Sequence, residues 1–476
     1  MPPLPDTTTK RFLGIWRRAL ALPALSDLHA ELVSDWAQQA GFAVLDATER
    51  DAGIFQPTRA VVLSTTLGVA CFPKALPKDA PQWQANRAIA DHHASLWQKV
   101  EWFSPLWITR GAANKLLMDV EHRPKDEAIS LFDYHTSTLY TLPFQAVCIA
   151  QLIPSARSLS DFAPIAREAY LAFYAGHRAS SIAALIPVIE GAFKRISNAA
   201  SGLSIPDQID RIIDGACVRA AHLHFDGMWV PREYLTIDYL FGQDERVFTF
   251  ETFRRWLKGA FFCNTGDYDG ATWLNRHLFA HGASTEWQNS ANFCRLIVAL
   301  ATLGVIESWH DDSDRVSLLF PEMSDDSKLL WQQAILQGQA QMAVKLLEEQ
   351  IYQSHGRTVP LMPADDGVTL RKARLKDECI KDLVRPLRDA GWGITVDEPD
   401  DQALSIQIVA TSGNSKLRVA LLYSCATDNK LYQELAQNCD AILYIGAPYH
   451  QDQYAYGLDI HVGPVAAWQP PKAPPL

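Results

Sequence analysis

From Leu159 to Leu303 apolar residues return at intervals of three and four, and no other feature restricts the fold of this chain so strongly. The spacing predicts helices over Asp161 to Phe173, Ser180 to Ile196, Asp207 to His222, Thr249 to Phe262, Thr272 to His281 and Glu286 to Leu303. Ser204-Ile205-Pro206-Asp207 places a proline near a first turn, and Thr249-Phe250-Glu251 resembles an N-cap. Each such helix has one apolar stripe to hide, so a series of them packs into an up-and-down helical domain. A further long helix is expected over Ser327 to Gln353.

The flanks read differently. Residues 10–41 look helical around Pro23, and Trp83 to Lys99 looks helical again. Between them Gly41 to Leu45 and Ala60 to Leu63 have the character of short strands, punctuated by Pro57, Pro73, Pro77 and Pro81. Residues 1–155 are therefore expected to form an α/β region, and 156–355 the helical domain. The Gly, Pro and Asp content of 356–367 predicts a linker. After it, a helix over Arg371 to Ala390 and strands at Gly393 to Val396, Leu404 to Val409 and Leu417 to Tyr423 are expected. A helix from Asn429 to Asn438 and a strand from Ala441 to Gly446 complete a small α/β domain over 368–465. That order resembles a restriction-endonuclease-like core. The third strand lacks the acid and lysine that metal-dependent cleavage needs, so only a degenerate, recognition-type version is expected. The Pro-rich tail, 466–476, should be extended and mobile. The expected fold class is mixed: a central all-α bundle flanked by an N-terminal α/β region and a small C-terminal α/β domain.

With 476 residues the chain exceeds what one core usually serves. Its formal charge of −11 argues against a protein that coats nucleic acid, yet allows a local basic cleft that grips a few phosphates. Cys71, Cys148, Cys217, Cys263, Cys294, Cys379, Cys425 and Cys439 are scattered, so neither a zinc site nor a disulfide framework is expected, and no metal or other cofactor. The N-terminus shows no signal-peptide pattern, and no stretch has the ~18 uninterrupted apolar residues of a membrane span. A cytoplasmic protein without membrane association is the expectation.

Chemistry concentrates in Leu274-Asn275-Arg276-His277-Leu278-Phe279-Ala280-His281-Gly282. On a helix, Leu274, Leu278 and Phe279 can face a core, and His277 and His281 share a face. Arg276 and His281 lie about 140° apart around the axis, an angle that a long arginine can bridge at a helix edge. Gly282 sits where a C-cap glycine belongs, so His281 falls in the last turn, where the dipole favours imidazolium. Such a histidine can exchange protons near neutrality. The set suits RNA cleavage. The 2′-OH loses a proton, the 5′-oxygen gains one, and a guanidinium offers two parallel donors to the phosphate. The internal nucleophile is already in place, so a metal is not required.

Asn275-Arg276-His277-x-x-x-His281-Gly282 resembles the R-x4-6-H signature of HEPN domains. The order of helices over roughly 160–310, including an asparagine-bearing helix after the motif (Asn289 or Asn292), is similar as well. The resemblance implies a helical bundle that dimerises, with two motif helices facing one composite cleft and RNA as substrate. It implies that Arg276 and His281 are catalytic, that His277 orients them or the phosphate, and that Glu190 is the assisting acid. Asn275, Arg254, Arg255 and Lys258 are the substrate-binding candidates; for the last three a solvated face is the alternative. The family makes an anti-phage defence or stress role, with partner proteins, an expectation. The competing reading is a non-catalytic scaffold that uses the bundle for dimerisation or regulation, with Arg276 and His281 as ordinary packing residues.

Other constellations are weaker. His222 and His224 with Asp226 alternate like metal ligands but diverge on a helix end. Asp91-His92-His93 copies a phosphoesterase motif, yet falls within a helical pattern. Asp311-Asp312-Ser313-Asp314 reads as a solvated acidic turn.

Overall fold

The structure is a computed structural model that describes residues 5–197, 202–354, 367–426, 429–445 and 454–474. Helices carry most of the chain, accompanied by a three-stranded and a five-stranded sheet. The chain divides into two compact units. The first comprises Met1–Tyr140, Phe144–Arg167 and Ile182–Ser327, and the second Thr141–Pro143, Glu168–Ser181 and Lys328–Leu476.

The core of the first unit is the Ala291–His310 helix, buried on every residue but His310. By length and composition it could cross a membrane, a feature hidden from a search for uninterrupted apolar runs by Asn292, Arg295 and Glu307. Those polar side chains find partners inside the unit, although the Arg295 Nε meets no acceptor among the described residues. Glu307, for example, accepts from the Ser158 amide at 2.9 Å and from its hydroxyl at 2.8 Å. The Ile205–His224 helix packs along it and begins as its sequence predicts, with Ser204 as N-cap and Pro206 in the first turn. The Glu245–Trp256 helix starts earlier than Thr249. Asp244 caps it by accepting from the amides of Arg246 and Val247, and Thr249 is buried mid-helix.

Strands β1 (Val44–Ala52), β2 (Thr58–Thr65) and β3 (Gly68–Pro73) form an antiparallel meander. The apolar Ala60 to Leu63 run is the heart of β2, with all four residues buried. Strand β1 runs well past Leu45 into Asp46 to Asp51, whose polar residues suit a strand with much of its surface in water. The sheet joins the helices directly. Trp229, just after the Ile205–His224 helix, exchanges backbone bonds with Val69 and Cys71 at 2.9 and 2.7 Å. Its ring packs on Phe12 and Phe72. The expected boundary after residue 155 therefore falls inside the first unit, because these contacts link positions too far apart in sequence for local patterning to reveal.

In the second unit β4 (Gly393–Val396), β5 (Ser405–Ser412) and β6 (Ser415–Leu422) run antiparallel. Strand β7 (Ala441–Tyr444) joins parallel to β6, and β8 (His461–Pro464) parallel to β7. The expected element order is present, extended by β8. Leu375, Cys379, Leu383 and Leu387 pack on one face against Ile406, Ile408, Val419 and Leu421, while Tyr432 and Leu435 cover Leu422 and Ile442 on the other. The expected linker lies outside the described residues except for Gly367. The described part of the tail is extended but held. Pro471 accepts from the Trp392 indole at 2.8 Å, Ala473 donates to Ala390 at 2.8 Å, and Pro474 accepts from Ser412 at 3.0 Å.

Candidate active site

The motif helix is shorter than its periodicity predicts, running only from Arg276 to Ala280. The reason lies in the residues before it. Trp273 has φ of 57°, a left-handed conformation that is costly for a bulky side chain and ends any helix there. The turn is imposed from a distance by Glu101, itself buried. Its carboxylate accepts from the amides of Ala271 at 2.6 Å and Thr272 at 3.0 Å and from the Thr272 hydroxyl at 2.6 Å. Burial raises the Glu101 pKa, but these donors and Lys125 outweigh it and hold the carboxyl below its usual range. Asn292, fully buried, donates to the Thr272 carbonyl at 2.8 Å and so braces the same turn. Asn289 instead lies just before the Ala291–His310 helix and accepts from the Ala291 amide.

Asn275 is the N-cap. Its side-chain oxygen accepts from the amides of His277 and Leu278, and its nitrogen donates to the carbonyls of Ala260 and Cys263 at 2.7 and 2.8 Å. With zero exposure and both ends of the amide committed, it positions the motif and cannot reach a substrate. That corrects its assignment as a substrate-binding residue. At the other end Gly282, at φ of 61°, closes the helix as expected. Its amide donates to Phe279 and the Ala283 amide to Leu278, the paired bonds of a Schellman motif.

Four of the predicted residues converge. The Arg276 guanidinium donates through Nε to Glu190 at 2.5 Å and through a terminal nitrogen to His277 Nδ1 at 3.3 Å. Lys194, one turn beyond Glu190, holds its other oxygen at 2.7 Å. Glu190 feels burial, which raises its pKa, but the bonds from Lys194 and Arg276 prevail and keep it ionised. His277 is pushed below its usual value by partial burial, then by the charges of Arg276 and His281, with Glu190 opposing. An arginine only donates, so Nδ1 of His277 is an acceptor and the ring is neutral, with its proton on Nε2. His281 is exposed at the helix C-cap.

The proposed basic face belongs elsewhere. Arg254 is paired with Asp210 at 3.1 Å, Asp214 at 2.6 Å and Glu251 at 2.9 Å. Lys258 bonds Asp210 at 2.9 Å, and Arg255 reaches Glu251 and stacks over Phe241. Their charge is largely balanced by partners within the unit, which corrects their reading as phosphate-binding groups. His224 is buried against Asp244 at 2.9 Å while His222 is exposed, so the two diverge as a helix end requires. His92 pairs with Glu121, and Asp312 and Asp314 hold Arg219. Among the described residues no cluster of three or more metal-ligating side chains occurs.

Two contributors escaped the sequence reading. Lys194 could have been found from its i,i+4 spacing to Glu190. Glu101 could not, being 170 residues from Ala271. Compared with protein-family models, curated proteins and solved structures, the chain matches none.

Proposed function

We propose that the chain is a metal-independent endoribonuclease of the HEPN type, with its site on the Arg276–Ala280 helix. The observation that carries this reading is the anchored yet accessible guanidinium. Arg276 is fixed by Glu190 at 2.5 Å while a third of its side chain is exposed, it touches the His277 ring, and the exposed His281 follows at the helix C-cap. His281 takes the proton of a 2′-OH or returns one to the leaving 5′-oxygen. Arg276 stabilises the charge that develops on the phosphate. His277 accepts from Arg276 and orients it. One exposed histidine and one guanidinium are few groups for both proton transfers, so we place the working site at a homodimer interface, two copies facing each other. The helical bundle, the partner proteins and the defence or stress role rest on the family resemblance.

A second reading is favoured by the Glu190 pair and the burial of Asn275: a regulatory or dimerisation scaffold in which Arg276 is structural. Purified protein incubated with total RNA, beside an Arg276→Ala plus His281→Ala variant, separates the two. The nuclease cuts in the presence of EDTA, leaves 2′,3′-cyclic phosphate ends and sediments as at least a dimer, while the variant is silent. Cleavage by both proteins, or by neither, leaves the scaffold.

A further inference from the structure

A pocket of about 150 Å³ lies within the first unit, away from the motif helix in its lining. Its walls are the Pro81–Lys99 helix, the Arg110–Glu121 helix and the Phe241–Thr249 segment that leads into the Glu245–Trp256 helix. The close approach of two walls is built in. A Cβ on Gly242 would lie 2.9 Å from the Arg87 amide nitrogen, so only glycine lets this segment rest on the helix and bring Gln243 to the pocket wall. The backbone of Gln243 is satisfied there, its carbonyl accepting from Gln56 at 3.2 Å and its amide donating to Leu240 at 2.9 Å.

The side chain of Gln243 is the telling feature. It is 4% exposed, and its Nε2 donor meets no acceptor among the described residues. A buried amide left without a partner costs stability, and among the buried side-chain atoms left so, this one belongs to a residue that lines the pocket. Around it the lining supplies three more carboxamides, Gln56, Asn86 and Asn114, and the aromatic residues Trp97, Phe241 and Phe248. No lysine or arginine is among the lining residues, and the buried acid Asp244 is committed to His224 and Arg246. Glu245 and His93 also line it, so an anionic ligand would meet two carboxylates and one imidazole but no fixed cation. Carboxamides read the paired donors and acceptors of a heterocycle edge, and aromatic rings stack on its face. The volume suits one small ring system, since a cavity of roughly 150 Å³ takes up benzene.

We propose that this pocket binds an uncharged, hydrogen-bonding heteroaromatic ring of nucleobase size, with a ring acceptor or carbonyl on the Gln243 amide. The inference is independent of the ribonuclease reading. The test is calorimetric titration of the full chain with adenine, cytosine, uracil and nicotinamide, with nicotinate as the charged analogue and benzene as the apolar one. At least one neutral heterocycle should bind saturably, and nicotinate and benzene should bind at least tenfold more weakly. Gln243→Leu keeps the volume and removes the donor. It should weaken that binding about tenfold or more and, because it removes an unpartnered buried amide, raise the melting temperature of the free protein. Ala113→Leu, which narrows the pocket from its other wall, should abolish binding without touching Gln243. Absence of binding by every neutral ring overturns the proposal. So does equal affinity in wild type and Gln243→Leu, or preference for nicotinate or benzene.

Discussion

Two arginine–carboxylate pairs in the first unit have the same length and opposite surroundings. Arg295 meets Asp133 at 2.5 Å with 1% of the arginine side chain exposed, and Arg276 meets Glu190 at 2.5 Å with 33% exposed. Arg295 is enclosed by Asn292 at 3.3 Å and by the face of Trp102. Arg276 is a third exposed and touches the ring of His277. Distance alone therefore says nothing about role. A guanidinium enclosed in a core, its terminal nitrogens spent on Asp133 and Asn292, can only hold the fold, whereas one anchored at Nε with part of its side chain exposed can still hold something else.

The largest effect should come from the buried pair. Arg295→Ala leaves Asp133 as an unpartnered buried charge, and thermal or denaturant unfolding should register a loss of about 3–5 kcal/mol. The double variant Arg295→Met plus Asp133→Leu should regain most of it, since apolar residues of similar volume carry no desolvation cost. The same treatment of Arg276 should behave otherwise, because this pair lies at the surface, where such pairs are worth ~0–1 kcal/mol, and Lys194 still holds Glu190. Equal melting losses at the two sites would erase the contrast and return Arg276 to the scaffold.

Next in size is the effect on cleavage. His281→Ala should lower RNA cleavage by roughly 10²-fold or more, the scale of a lost acid–base group, with melting unchanged. Arg276→Lys should also be costly, since an ammonium cannot keep the Nε bond to Glu190 and offer parallel donors outward. If Arg276→Lys cleaves like wild type, the forked geometry is irrelevant and the guanidinium is not at the phosphate.

Asn275→Ala should cost about 1 kcal/mol as a lost N-cap, and more if the Ala260 and Cys263 carbonyls stay dry. Cleavage per folded molecule should fall too, because Arg276 follows directly on the cap. Unchanged melting would show that the cap is not what sets the helix start.

The motif itself was legible, and so was Gly282 as its stop, because a cap and a left-handed glycine are local chemistry. Glu190 entered as a candidate acid through resemblance; its bond to Arg276, 86 residues away, could not be read from spacing. What could not be read was the truncation of the helix. Thr272 to Asn275 carries no breaker; the turn there is dictated by Glu101 and Asn292, which meet it only after folding. The same limit explains the misplaced domain boundary, where the Trp229 bonds to β3 unite regions of unlike periodicity. The basic face misled for a related reason. Arg254 and Lys258 are visible in sequence, but the acids on the neighbouring helix that neutralise them are adjacent only in space.

The smallest expected effect is a pH dependence at His277. Its value is lowered from 6.5 by partial burial, then by the positive charges of Arg276 and His281, with Glu190 opposing. In the unfolded chain this imidazole takes up its proton near 6.5, and in the folded protein only at lower pH. Between those values the unfolded state holds more protons, so stability rises with pH. The contribution is complete above 6.5 and is lost as pH falls through the folded value. His277→Gln removes the titration but keeps an acceptor for Arg276. The gap in melting temperature between wild type and this variant should therefore move in favour of the variant as the buffer is taken from above 6.5 to about pH 5. Glu190 and other carboxylates titrate in both proteins and cancel in the difference. A gap that stays flat over this range would mean that His277 does not feel Arg276. The arginine's outer edge would then be free of the neutral ring that orients it, and the distinction from Arg295 would rest on exposure alone.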